Sequence, residues 1–202
     1  MAQMRRAPLA AALLFLLSGC LRGNFPETKY YVIDYSLPPL SDRAGSLPAT
    51  LGVELFRADS VYRQNRIVYR QVPHRVEFYT YRRWGVRPEE MITDKVMDHF
   101  SSSGLFRAVQ RYPYDGPATY ILRGRVKRFE EIDREDGWFA RFALEARLIK
   151  RDNLEVILAT RKDLTLKAEA RTPDAFVKAM AEAMRKTLGE LVGEAARRLR
   201  GK

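Results

Sequence analysis

Three stretches near the middle of the chain alternate apolar and charged residues almost without a break. In "TYILRGRVKRF" (119–129), Tyr120, Leu122, Gly124 and Val126 alternate with Arg123, Arg125 and Lys127. In "RFALEARLIK" (141–150), Phe142, Leu144, Ala146 and Leu148 alternate with Arg141, Glu145 and Arg147. In "EVILATRKDLTLK" (155–167), Val156, Leu158, Leu164 and Leu166 face one way and Arg161, Asp163 and Lys167 the other. A period of two predicts strands with one face buried and one wet. Asp136-Gly137 and Asp152-Asn153 mark the turns, so the three are expected to form an antiparallel meander.

Upstream, "KYYVIDY" (29–35) is aromatic and β-branched and reads as a first strand. "SLPPLSDRAGSLP" (36–48) is a loop by its Pro, Gly and Ser, and "ATLGVELFRA" (49–58) a second strand. "NRIVYRQ" and "RVEFYTYRRW" are expected to pair as a hairpin around Pro73. The spacing of four in Ile92, Val96 and Phe100 predicts a helix over 87–104, with Pro88 in its first turn, Glu89 and Glu90 on its dipole, and Gly104 at its end. "LFRAVQR" (105–111) is then a short strand. A long helix runs from Pro173 to about Arg198, with Thr172 as N-cap and Phe176, Met180, Met184, Leu188, Val192, Ala195 and Leu199 on one stripe. That stripe reads as core covering the sheet; a partner helix or a membrane surface is the other reading. Strands first, with helices segregated to one face, predict an α+β two-layer sandwich: a mainly antiparallel sheet with two helices packed on one face.

The first 20 residues do not fit that domain. Arg5 and Arg6 precede an apolar run, Leu9 to Leu17, closed by Ser18 and Gly19. A positive end, a short apolar stretch and small residues are the layout of a secretory signal. The run is too short to span a bilayer, which takes about 20 apolar residues. The chain's one cysteine, Cys20, follows at once. It has no internal disulfide partner, so another use of the thiol is expected. "LSGC" (17–20) resembles the bacterial lipobox. That resemblance implies cleavage before Cys20 and a covalent lipid on it, the one non-protein group expected here. Two or three acyl chains make such an anchor stable. Leu21, where an aspartate would signal inner-membrane retention, favours the outer membrane, facing the periplasm. The expected organisation is a signal peptide (1–19), a lipidated tether (20–28) and a single domain (29–202).

Charge adds a constraint. The chain has 36 Lys and Arg against 25 Asp and Glu, a net +11, and losing Arg5 and Arg6 with the signal leaves +9. Export takes nucleic acid out of reach, leaving anionic headgroups, an acidic protein partner or plain solubility as readings. The predicted wet face gathers Arg123, Arg125, Lys127, Arg141, Arg147, Arg161 and Lys167 against Glu145, Glu155 and Asp163. It is either an ordinary polar face or a docking surface. In "YRRWGVRP" (81–88), Arg82, Arg83 and Trp84 have an interface composition if Trp84 is exposed, and cap the core if it is not.

Candidate chemistry is sparse. His74 and His99 lie in no metal-ligand spacing. His99 precedes "SSSG", which reads as a helix end rather than part of a triad. "EEIDREDG" (130–137) lacks the spaced ligands of a calcium loop and reads as a solvated hairpin tip. No catalytic residue, metal site or further cofactor is expected.

The order of features carries a resemblance: a lipobox, a short tether, "YYVIDY", a Pro-rich loop, "RIVYR", an aromatic strand ending in "RRW", a helix and "SGLFRAV", with Arg70, Trp84 and Gly104 as landmarks. Over about 29–200 the chain resembles the ABC-type transport auxiliary lipoproteins, which include the paraquat-inducible C type. It departs in its richness in arginine. The resemblance implies an accessory component with no reaction of its own. It would dock an inner-membrane-anchored mammalian-cell-entry protein of an ABC transporter that moves lipids between membranes. The alternatives are a lipid-anchored scaffold for cell-wall synthesis or outer-membrane assembly, and an enzyme using His99 with a serine among 101–103. Direct lipid binding and homo-oligomers are compatible with every reading.

Overall fold

The computed structural model describes residues 26–37 and 46–201. The expected signal peptide, Cys20 and most of the tether lie outside the described residues.

The elements follow in the order β1 (Lys29–Tyr31), β2 (Leu47–Glu54), β3 (Arg57–Ala58), β4 (Arg66–Arg70), β5 (Glu77–Trp84), α1 (Pro88–Ser102), β6 (Phe106–Tyr112), β7 (Tyr120–Arg134), β8 (Gly137–Lys150), β9 (Val156–Lys167) and α2 (Pro173–Arg200). Among the described residues one nine-stranded sheet holds every strand, and two helices cover one of its faces, as the α+β reading expected. The meander β7–β8–β9 is antiparallel throughout.

The remaining strands make the sheet mixed. Strand β7 is its spine: one edge pairs with β8, and the other receives β2 at 120–122, β3 at 125–126 and β4 at 130–132, all parallel. β6 lies parallel outside β2, and β1 parallel outside β5. Only the β4–β5 hairpin adds antiparallel pairing on that side. Parallel neighbours need no turn between them, so local turn signals do not announce them.

The core forms where the apolar faces meet the helices. Ile92, Val96 and Phe100 of α1 are buried, as are Phe176, Met180, Met184, Leu188 and Ala195 of α2. The long stripe on α2 is therefore core, packed on β8 and β9. Thr172 caps α2: its hydroxyl accepts the Ala175 N–H at 3.3 Å, answering one of the helix's orphan donors. Gly104, with φ of 63°, turns the chain out of α1 in a left-handed conformation that a side chain would resist.

Residue Gly124 is required for a different reason. The link from β2 to β3 crosses beside it, and the Phe56 ring sits where its side chain would be. A Cβ on Gly124 would fall 2.0 Å from Phe56 Cε2. The Phe56 amide donates to Thr93 Oγ1 of α1 at 2.9 Å, which pins the ring between helix and sheet.

Candidate partner-binding face

The face of β7–β9 turned away from the helices carries most of the predicted basic residues. Arg123 stands opposite Arg147, which stands opposite Ala159. The next outward row is Arg125, Glu145 and Arg161. A register shift between Val126 and Arg128 then inserts one extra residue into β7. Beyond this bulge the outward positions are Arg128, Glu130, Ile132 and Arg134. They stand opposite Ala143, Arg141, Phe139 and Gly137 on β8. Asp163, Thr165 and Lys167 complete the outward rows on β9. The structure thus brings Arg123, Arg125, Lys127, Arg141, Arg147, Arg161 and Lys167 together.

Their charge is less free than the sequence implied. Arg123 Nε lies 2.9 Å from Glu54, and Asp59 holds both Arg125 at 2.6 Å and Lys127 at 2.9 Å. Arg141 grips Asp163 with two parallel hydrogen bonds of 2.9 and 2.8 Å. Lys167 lies 3.9 Å from Asp136. The Asp59 and Asp163 carboxyls sit below the usual range. Both resist burial, Asp59 through Lys127 and Arg125, and Asp163 chiefly through Arg141. Glu54 ends β2 and Asp59 directly follows β3, and both escaped sequence reasoning. Arg147 and Arg161 are exposed and have no ion pair within 4.0 Å among the described residues, though Arg161 stands opposite Glu145 and helps hold Asp163 down, so Arg147 is the least compensated of the face.

The Arg82–Trp84 corner belongs elsewhere, and the interface reading of Trp84 is corrected. Trp84 is 1% exposed. It packs on Phe129 at 4.8 Å and Phe176 at 6.1 Å between ring centroids. Alternation on β5 puts Trp84 and Arg82 under the helices, where an indole gains far more from burial than from the rim. The Arg82 guanidinium lies over the Tyr79 ring at 4.4 Å and near Trp138 at 5.8 Å. Arg83 is half-buried, with its Nε enclosed. None of the three joins the basic face.

A second correction concerns 130–137. Strand β7 extends to Arg134, so Glu130 and Glu131 lie inside the sheet, each 1% exposed, and only Glu135 and Asp136 form the tip. Glu130 accepts the Tyr62 hydroxyl at 2.5 Å and Arg70 Nε at 2.7 Å. On the opposite face, Glu131 accepts the Tyr79 hydroxyl at 2.7 Å. Burial pushes the Glu131 carboxyl up to about 7, against the pull of the Tyr79 bond and Arg82.

A family model for the ABC-type transport auxiliary lipoprotein component matches residues 31–192. The chain belongs to that family. No curated protein matches it. Among solved structures, protein XCC0632 from Xanthomonas campestris is similar at 22% identity, with a TM-score of 0.74 over 86% of this chain and 98% of that one. A second crystal structure, of an uncharacterized protein, gives 18% identity and a TM-score of 0.67 over 84% of this chain and 99% of that one. The hypothetical protein CT253 from Chlamydia trachomatis gives 7% and 0.51 over 77% and 100%. These likenesses show a shared fold.

As a transport auxiliary lipoprotein, the protein is tied to ABC transport systems and to a membrane-anchored place in the envelope. No helix among the described residues is long and apolar enough to cross a membrane. No group of three or more His, Cys, Asp or Glu among them could hold a metal ion. His99, in the last turn of α1, is buried, with Nε2 3.0 Å from the Tyr35 hydroxyl. Burial, Lys95 and Arg185 hold it down near 4, so its ring is neutral at physiological pH. The Ser103 hydroxyl donates to the Phe100 carbonyl and accepts the Leu105 N–H, the work of a helix end.

Proposed function

We propose that this auxiliary lipoprotein is anchored through acyl chains on Cys20 in the outer membrane and faces the periplasm. There it docks the mammalian-cell-entry protein of an ABC-type intermembrane lipid transport system. The observation that carries the docking step is the contiguous outer face of β7–β9, on which Arg147 and Arg161 stand exposed and without a close ion pair on a three-strand platform. Such a face suits an acidic protein surface. It would speed encounter and set orientation more than add raw affinity. The protein catalyses nothing in this scheme and serves as the outer-membrane end of the route.

The test is crosslinking in intact cells followed by pull-down, with the native lipoprotein, a Cys20→Ala control and an Arg147→Glu/Arg161→Glu variant. Recovery of a mammalian-cell-entry protein, lost in the control and reduced in the charge-reversed variant, supports the reading. Recovery of a cell-wall synthase or an outer-membrane assembly component in its place overturns it and leaves the envelope-scaffold alternative.

A further inference from the structure

The outer face holds a second basic feature, which the bulge creates. Beyond Val126, Arg128 and Arg134 of β7 point outward beside Arg70 of β4 and Arg141 of β8. They wall a groove floored by Glu130 and Ile132 and rimmed by the β4–β5 turn. Arg70 is fixed by Glu130 at 2.7 Å and by the Pro73 carbonyl at 3.0 Å. Arg128 is fixed by the Lys127 carbonyl at 2.7 Å and lies 3.6 Å from Glu130. Arg141 is held by Asp163, and Arg134 rests its guanidinium 4.8 Å over the Phe139 ring with no carboxylate partner among the described residues. Four guanidinium groups thus face two carboxylates, and their remaining N–H groups are already oriented. A cluster of arginine forks with surplus positive charge matches a phosphate.

Position points to the source of that phosphate. β1 runs parallel to β5 with Lys29 opposite Arg82, so the chain before Lys29 heads toward Tyr79. Pro26 and Glu27 share a cleft with Tyr69 and Tyr79, and Tyr69 is the neighbour of Arg70. The chain therefore enters the domain at the end of the sheet that carries the groove, on the helix-covered face across the sheet from it, where Tyr79 bonds Glu131 and the cleft also takes Pro173 and Asp174 of α2. Pro26 lies six positions after Cys20, a span of at most about 20 Å when extended. Resting on the lipid anchor proposed above, this end of the sheet, with the groove on its outer face, is held close to the membrane. Val72 on the groove's rim is 47% exposed and offers apolar contact beside the charge.

We propose that the Arg70–Arg128–Arg134–Arg141 groove binds the phosphate of a phospholipid headgroup in the membrane that anchors the chain. The test uses the mature lipoprotein purified in neutral detergent and titrated calorimetrically with dihexanoyl phosphatidic acid, a soluble short-chain lipid, and separately with inorganic phosphate. Saturable lipid binding is expected, weakened at least about tenfold by Arg128→Gln/Arg134→Gln and unchanged by Arg198→Gln on α2. If the double variant melts early, Arg134→Gln alone serves, because that side chain has no ion pair to lose. Equal binding by variant and parent, or no saturable binding, overturns the proposal. So does inorganic phosphate binding as tightly as the lipid, which would mark a soluble-anion site. Mass spectrometry of the same preparation reports acylation at Cys20, so a failed anchor and a failed groove give separate signatures.

Discussion

At Gly124 the ring of Phe56 occupies the volume that any larger side chain needs. Gly124→Ala must displace that ring, and overpacking of this kind costs about 1–3 kcal/mol. Urea denaturation should register the loss, with the spectroscopic signature of the folded state otherwise intact. Glu131 and His99 make a second case, in which two buried groups act in opposite senses. The Glu131 carboxyl titrates near 7 when folded and near 4.5 when free. Between those values the folded state holds a proton that the unfolded chain has lost. Its contribution is present at low pH and lost as pH rises through 7. His99 titrates near 4 when folded and 6.5 when free. Its contribution is present above 6.5 and lost as pH falls through 4. Each shift corresponds to a contribution on the order of 3 kcal/mol, so the two slopes largely cancel. Glu131→Gln should leave a protein whose stability climbs from about pH 4.5 to 6.5, and His99→Gln one whose stability falls over the same range. Urea titrations at the two ends would show it; identical profiles for both variants would contradict the burial argument.

At the scale of elements, α2 depends on a single side-chain cap. Thr172→Ala removes the acceptor for the Ala175 N–H and should cost about 1 kcal/mol, read as a lowered Tm. The elements themselves were largely legible in the sequence. The meander declared itself because each strand alternates and each turn carries Asp with Gly or Asn. Both helices declared themselves through fourfold spacing, Pro in the first turn, and Thr172 or Gly104 at an end. What stayed hidden depends on distant partners. The parallel docking of β2, β3 and β4 on β7 has no local signal, and with it went Glu54 and Asp59, the acids that quench the basic face. The bulge after Val126 reverses the parity of everything downstream. That is why Glu130 read as a solvated tip, and why Arg128 and Arg134 were not seen as neighbours of Arg141. Trp84 was misplaced by composition: "RRW" names the residues of a corner without saying which face each takes.

For the whole molecule, the two halves of the outer face make separable claims. Arg147→Glu/Arg161→Glu alters exposed side chains with no ion pair, so the Tm should move by less than a few degrees. Crosslinking to the transport partner should fall at the same time. A large drop in Tm would instead show that the face is structural. The groove variant Arg128→Gln/Arg134→Gln should leave that crosslink in place while losing the lipid. Membership of the transport auxiliary family sets the setting for both surfaces, and their opposite responses would show whether one protein meets a partner and a bilayer through different parts of one sheet.

The role of β7 as a spine also has a consequence in time. A ribosome delivers residues 47–70 well before residues 120–134. Through that interval β2, β3 and β4 have no strand to lie against, and Leu51, Val53 and Phe56, all buried at the end, are uncovered. The β4–β5 hairpin can close on its own, but the early half of the chain acquires its lasting neighbours only when the middle has been made. Any factor that keeps this chain from aggregating before it folds must therefore hold the segment from Leu47 to Arg70 until Tyr120 to Arg134 is free to pair with it.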